Sequence, residues 1–249
     1  MRVDIYPYSF PEYLAAQGKD KNYLEVLSTK DRAEVVGMCD QYVKYGAFPE
    51  LVDIRNKREY LNSIYQTIYL GDIMSFNRLS NILKSAGAVL GKQTVINYVG
   101  YMMDSYLLFT LQNYAAKLVE KETSPKYYFM DTGLLGLMLM DCSSTQLENL
   151  VAIELIRRYG RENVFYFEKK VEIDFYVPEE KLAIKVSLQV LDQIDTRERE
   201  IGAFVKLKNF IGDATCLLIT NSEEEELDYD GVHVSVVPVW KWLLQKRKQ

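Results

Sequence analysis

From Thr145 to Val237 the chain alternates helical and β-branched stretches in an order that leaves few folds open. Thr145 to about Tyr159 reads as a helix with Leu147, Leu150, Val151 and Leu155 on its core side. Three strand-like runs follow: Val164–Phe167, Glu172–Val177 and Leu182–Ser187. Thr196–Phe210 returns to a helical period with a charged outer face. Thr215–Thr220 and Val232–Val237 are apolar and β-branched, as buried strands are, and a final helix, Val239–Lys248, ends basic. Helix, three strands, helix and strand together predict a mixed sheet flanked by helices.

The first half reads differently. Arg2–Phe10 is a short strand broken at Pro7, and residues 11–36 are helical and polar with Gly18 as an interruption. Tyr45-Gly46-Ala47-Phe48-Pro49-Glu50 carries turn chemistry. A helix is expected from about Lys57 to Met74, its buried face made by Tyr60, Leu61, Ile64, Tyr65, Ile68 and Tyr69. Asn77–Leu90 is a second, stopped by Gly91, and Thr94 can cap a third that ends near Ser105. The strands Tyr106–Leu111 and Lys126–Met130 then complete the helix, helix, helix, hairpin order of a winged helix. The expected recognition helix, Thr94–Ser105, holds no Arg or Lys, so this surface suits protein packing better than DNA.

Composition narrows the function classes. Residues 1–125 carry 14 basic and 14 acidic side chains, and residues 126–249 carry 16 and 21, so the second half holds the whole net charge of −5. A strongly basic nucleic-acid binder is excluded, and Glu223–Glu226 reads as a solvated loop. No apolar run approaches the ~20 residues that span a bilayer. Cys39, Cys142 and Cys216 form no CxxC pair, which excludes a disulfide framework or zinc ribbon and fits a cytoplasmic protein. Gly87–Lys92 lacks the spacing and the Ser or Thr of a phosphate loop, so it is read as a helix end and no ATP site is expected here. The single histidine, His233, sits in an alternating strand and is expected to face outward. That removes a Ser-His-Asp or Cys-His triad and leaves carboxylates, with Mg²⁺ or Mn²⁺, as the metal chemistry open to the chain.

One carboxylate constellation has usable spacing. Glu148 lies near the start of its helix, Glu172 and Asp174 alternate on one strand, and Lys185 lies on the next strand with Ala183 and Ser187 on its face. Two acids can hold a divalent cation while a lysine steadies developing phosphate charge, as in a metal-dependent nuclease. On spacing alone the plainer arrangement is expected: Glu148 beside a helix N-terminus and the strand charges facing water.

Several stretches resemble a family of bacterial and archaeal AAA-type ATPases whose C-terminal domain of unknown function is itself similar to PD-(D/E)XK nucleases. They are Tyr45–Glu50, Lys126-Tyr127-Tyr128-Phe129-Met130-Asp131-Thr132-Gly133-Leu134, Leu147-Glu148-Asn149-Leu150-Val151, Glu172-Ile173-Asp174-Phe175 and Thr196-Arg197-Glu198-Arg199-Glu200, with Arg2–Glu12 resembling the end of the ATPase core. The resemblance implies a C-terminal portion lacking the P-loop module, with residues 1–125 as ATPase remnant, helical linker and winged helix, and 126–249 as nuclease-like domain. It also implies a metal pocket of Glu148, Asp174 and an acid-x-Lys pair on the next strand. Here Ala183-Ile184-Lys185 keeps the lysine without the acid, and Lys185-Val186-Ser187, two residues on, keeps neither; a shift of two preserves the face, so the sequence leaves both registers open. The expectation is a non-catalytic or degenerate accessory region that contacts an ATPase module or another protein, with weak nucleic-acid contact and no membrane. The enzymatic alternative is a divalent-metal phosphodiesterase acting on DNA through Glu148, Asp174 and Lys185, with Glu148 and Asp174 on the metal.

Overall fold

The computed structural model describes residues 6–19, 28–62, 100, 102–116, 125–138, 143–191 and 194–245. Most of the expected helix-turn-helix of residues 77–105 and most of the 57–74 helix lie outside the described residues, although 57–62, 100 and 102–104 are helical.

Helix α1 (Phe10–Ala16) and helix α2 (Thr29–Tyr45) start on capping boxes, Ser9 with Glu12 and Ser28 with Asp31. Strands β1 (Leu108–Asn113) and β2 (Lys126–Phe129) precede helices α3 (Thr132–Met138) and α4 (Ser143–Tyr159). Strands β3 (Phe165–Glu168), β4 (Glu172–Val177) and β5 (Leu182–Val186) lead to helix α5 (Ile194–Ile211). Strands β6 (Thr215–Thr220), β7 (Glu225–Tyr229) and β8 (Val232–Pro238) and helix α6 (Val239–Leu244) follow. The fold is mixed α/β: one eight-stranded sheet in the order β2-β1-β3-β4-β5-β6-β8-β7, parallel at β1/β3, β5/β6 and β6/β8 and antiparallel elsewhere.

Two apolar layers sandwich that sheet. One joins α1, α2, α4 and α6 to Phe109, Phe175, Ile184 and Ile219. The other joins Ile201, Phe204 and Leu207 of α5 to Ile173, Ala183, Leu218 and Val234. Burial on both faces goes with the nearly continuous apolar run of β6, whereas β8 alternates at its start, with His233 exposed between Val232 and Val234.

The hairpin expected as a wing is placed differently. β1 and β2 do pair antiparallel, from Leu108↔Phe129 to Leu111↔Lys126, but β1 also runs parallel to β3 at Gln112↔Phe165. The hairpin is therefore the edge of the main sheet, and the sheet crosses the 125/126 boundary expected from the sequence. Burial accounts for this. Phe109, Leu111 and Tyr128 enter the large core, while Leu108 and Phe129 enter a separate cluster with Leu51 and Leu134. A wing standing in solvent cannot bury both faces.

Two of the motifs singled out above hold each other. Gly46 ends α2 at φ +78°, and Asp131 sits directly behind it. The Asp131 carboxylate accepts the Ala47 N–H through Oδ2 and the Gly133 N–H through Oδ1, both at 2.8 Å. Gly133 allows the approach: a Cβ there would stand 2.1 Å from the Tyr45 carbonyl oxygen. These residues tie α2 to the start of α3, which is a structural use of the chemistry. Burial pushes the Asp131 carboxyl up to about 6, against the hydrogen bonds from Ala47 and Gly133 that favour its charge. Between the ordinary value of 3.8 and about 6 the unfolded chain loses this proton and the folded chain keeps it. Asp131 therefore costs stability as pH rises through that window, by about 3 kcal/mol in all. In Asp131→Asn, urea midpoints measured across the window should flatten with pH, at a lower overall stability, because an amide NH₂ replaces one of the two acceptors.

Buried charge also ties the N-terminal segment to α4. Arg157 donates to the Pro7 and Tyr8 carbonyl oxygens, and Glu154 accepts from Arg158 at 2.8 Å while Arg158 stacks on Trp242.

Candidate functional site

Asn149 pins α4 to the sheet edge. Its side chain accepts the Phe129 N–H at 2.7 Å and donates to the Phe129 carbonyl at 2.9 Å, completing the bonding of β2 at that residue. The preceding residue, Glu148, then meets the neighbouring Tyr128, whose hydroxyl donates to Oε1 at 2.8 Å. The Tyr128 ring packs on Phe175, one residue past Asp174.

Asp174 owes its position to an irregularity in β4. Phe165 pairs with Tyr176 and Phe167 with Ile173, so three steps on β4 face two on β3. Bulges of this kind re-aim side chains. The plain alternation of Glu172 and Asp174 expected from the sequence is interrupted: Glu172 is exposed and held by Lys126 at 2.6 Å, whereas Asp174 is buried. Asp174 Oδ2 accepts the Val186 N–H at 2.7 Å, and Oδ1 lies 3.4 Å from Lys185 Nζ.

Lys185 completes the site from β5. Phe175↔Ile184 pairing sets Asp174 beside Lys185, and Ala183 is buried in the α5-side core. Glu200 of α5 reaches the same ammonium at 2.9 Å. Ser187, the other residue on which the two registers turned, bonds instead to the Gln189 carbonyl.

The electrostatics follow from burial and proximity. Burial raises the Asp174 carboxyl to about 6 against the pull of Lys185, and the Glu148 charge adds to the rise, so these two acids share one neighbourhood. Burial alone would lower Lys185, but Asp174 and Glu200 outweigh it and hold the amine above its ordinary value. The ammonium leans toward Glu200, the nearer acid, which is why Asp174 gains too little from it to offset burial. Lys126 behaves likewise: burial pulls it down, and Glu172 with Glu148 and Asp174 more than restores it. Tyr128 is raised by burial and by Glu148, and remains a hydroxyl donor.

Glu148, Asp174 and Lys185 are thus brought together. The sequence reading missed Glu200, Tyr128 and Lys126 as their neighbours. A signal for Glu200 existed: it precedes Phe204 and Leu207 by four and seven residues, so the acid lies on the buried stripe of α5, where an unpaired carboxylate is rare. The acidic run read as a loop is also structural in part. Glu223 accepts the Val190 and Leu191 N–H groups at 2.7 and 3.1 Å, and Glu224 pairs with Lys241. His233 faces outward as expected, between Asp228 and Glu226.

Among the described residues, no three His, Cys, Asp or Glu side chains form a group suited to a metal ion, and no helix is long and apolar enough to cross a membrane. A cavity of about 960 Å³ lies between α2, α3 and the start of α4, lined by Lys44, Arg58, Gln146 and Asn221 among others; none of Glu148, Asp174, Lys185 or Glu200 borders it.

A family profile described as a domain of unknown function (DUF8612) matches residues 75–146, a stretch that stops short of all four of these residues. The chain is similar to an uncharacterized protein, MJ1544, of Methanocaldococcus jannaschii, at 28% identity over 283 aligned residues covering 98% of this chain and 63% of that protein. The chain therefore spans less than two thirds of the length of this relative. No solved structure matches it.

Proposed function

We propose that this chain is a non-catalytic, nuclease-like accessory region that works by protein contact, with an AAA-type ATPase module as the leading partner, in the cytoplasm. The observation that carries the reading is Lys185: its amine is clasped by Asp174 and Glu200 at 3.4 and 2.9 Å, and no carboxylate accompanies it on β5. A phosphodiesterase of the PD-(D/E)XK kind needs that strand to offer both an acid and a free amine, and losing either costs orders of magnitude in rate. The element order α4, β3, β4, β5, α5, β6, with Glu148 on the first helix and Asp174 on the second strand, supports the nuclease-like part.

The convergence of Glu148, Asp174 and Lys185 supports the second reading, a divalent-metal phosphodiesterase acting on DNA. Incubating the chain with Mg²⁺ or Mn²⁺ and plasmid, linear or single-stranded DNA separates the two. Intact substrate is expected throughout. Cleavage that disappears in Asp174→Ala would sink the non-catalytic reading in favour of the enzyme.

A further inference from the structure

Three oxygens crowd the Lys185 amine: Glu200 Oε2 at 2.9 Å, Asp174 Oδ1 at 3.4 Å and the Glu172 carbonyl oxygen at 3.5 Å. The Lys185, Asp174 and Glu200 side chains are all nearly sealed from solvent, at 11, 12 and 8% exposure. Two buried carboxylates converging on one point need a cation there. The spacing around that point suits an ammonium. Mg²⁺ holds its oxygens at about 2.1 Å, so each of these would have to close by roughly 1 Å to grip one. Other oxygens of these acids are engaged as well: Asp174 Oδ2 by the Val186 N–H, Glu148 Oε1 by the Tyr128 hydroxyl and Glu200 Oε1 by the Arg199 guanidinium at 2.8 Å. The residues to which the nuclease resemblance assigns Mg²⁺ or Mn²⁺ therefore do not fit the ion. What displaces it is a side chain, on a strand that also lacks the acid.

We propose that Lys185 is a built-in cation, its ammonium filling the position between Asp174 and Glu200 that a divalent ion would take and closing this pocket to Mg²⁺ and Mn²⁺. The inference rests on the nuclease-like reading above and gives its reason. A tethered ammonium is never lost to a chelator, so the junction of β4, β5 and α5 keeps its shape in any metal supply. It also has three donors and no open coordination position, so it cannot lower the pKa of a bound water as a metal does.

Thermal melts and Mn²⁺ titration calorimetry on the whole chain test this, using wild type, Lys185→Glu and Lys185→Ala. Wild type should melt at one temperature in chelator and in Mn²⁺, with no heat of binding at this site. Lys185→Glu adds a carboxylate beside Asp174 and Glu200. It should gain a Mn²⁺-dependent rise in melting temperature and bind the ion at least about tenfold more tightly than wild type. Lys185→Ala serves if the glutamate variant does not fold, and should show a smaller rise. Wild-type Mn²⁺ binding that vanishes in Asp174→Asn would overturn the proposal, as would variants that ignore Mn²⁺. The outcomes separate the two readings. DNA cleavage in the presence of chelator sinks the non-catalytic reading alone, Mn²⁺ binding without cleavage sinks the built-in cation alone, and Mn²⁺-dependent cleavage sinks both.

Discussion

Gly46→Ala is expected to lower stability by about 3–5 kcal/mol, a large loss for the addition of one methyl group. Two costs combine. The backbone at Gly46, φ +78° and ψ −165°, belongs to a region that only glycine enters freely. A Cβ there would stand 1.8 Å from Asp131 Oδ1 and 2.5 Å from the carboxyl carbon. The carboxylate cannot retreat without releasing the Ala47 and Gly133 N–H groups, each buried and costly to leave unmade. Urea unfolding should show a lower midpoint at unchanged slope. Gly37→Ala is the control. Gly37 lies within α2 with nothing within 4 Å of an added Cβ, so the same substitution should stabilise by about 0.5–1 kcal/mol. A loss under about 1 kcal/mol at Gly46 would show that the turn relaxes and that Asp131 is no anchor.

What the sequence disclosed, and what it hid, follows from the range of the interactions involved. Helix and strand order from Thr145 onward was legible, except for β7, whose first residues read as a charged loop, because period and β-branching are local, and the other element bounds agree to within a few residues. The hairpin of β1 and β2 was legible as a hairpin. Its partner was not, because β1 meets β3 across about fifty residues and nothing in Gln112 or Phe165 announces the pairing. The Tyr45–Glu50 and Lys126–Leu134 stretches stood out as motifs, but their mutual contact through Asp131 is long-range and needed coordinates. At the site, Glu148, Asp174 and Lys185 could be named from spacing. The bulge at Asp174, between Ile173 and Tyr176, could not, since one extra residue in a strand leaves no mark on composition. The Phe175↔Ile184 pairing that sets Lys185 opposite Asp174 is likewise long-range and has no mark in the sequence.

Lys185→Met should cost about 3–5 kcal/mol at neutral pH, because it strands the buried Asp174 carboxylate and leaves Glu200 only the exposed Arg199 guanidinium, and not because a strong net attraction is lost. The two explanations differ in pH dependence. Below 3.8, the ordinary aspartate value, the Asp174 carboxyl is protonated in the folded and unfolded chains alike, and the missing ammonium matters little. As pH rises the unfolded chain gives up its protons freely. The folded variant must either keep the proton on Asp174 or bury bare charge. Its stability therefore falls with pH more steeply than that of wild type, in which burial lifts Asp174 only to about 6 while Lys185 pulls the other way. Loss measured by urea unfolding should be smallest in acid and largest above neutrality. Adding Asp174→Asn and Glu200→Gln to Lys185→Met removes the orphaned charges, and replacing all members of a buried ion cluster is often neutral. The triple variant should recover most of the loss and lose the extra pH dependence. If it is no more stable than the single variant at neutral pH, the ammonium supplies net attraction beyond neutralising the two acids, and β4, β5 and α5 depend on Lys185 for their packing.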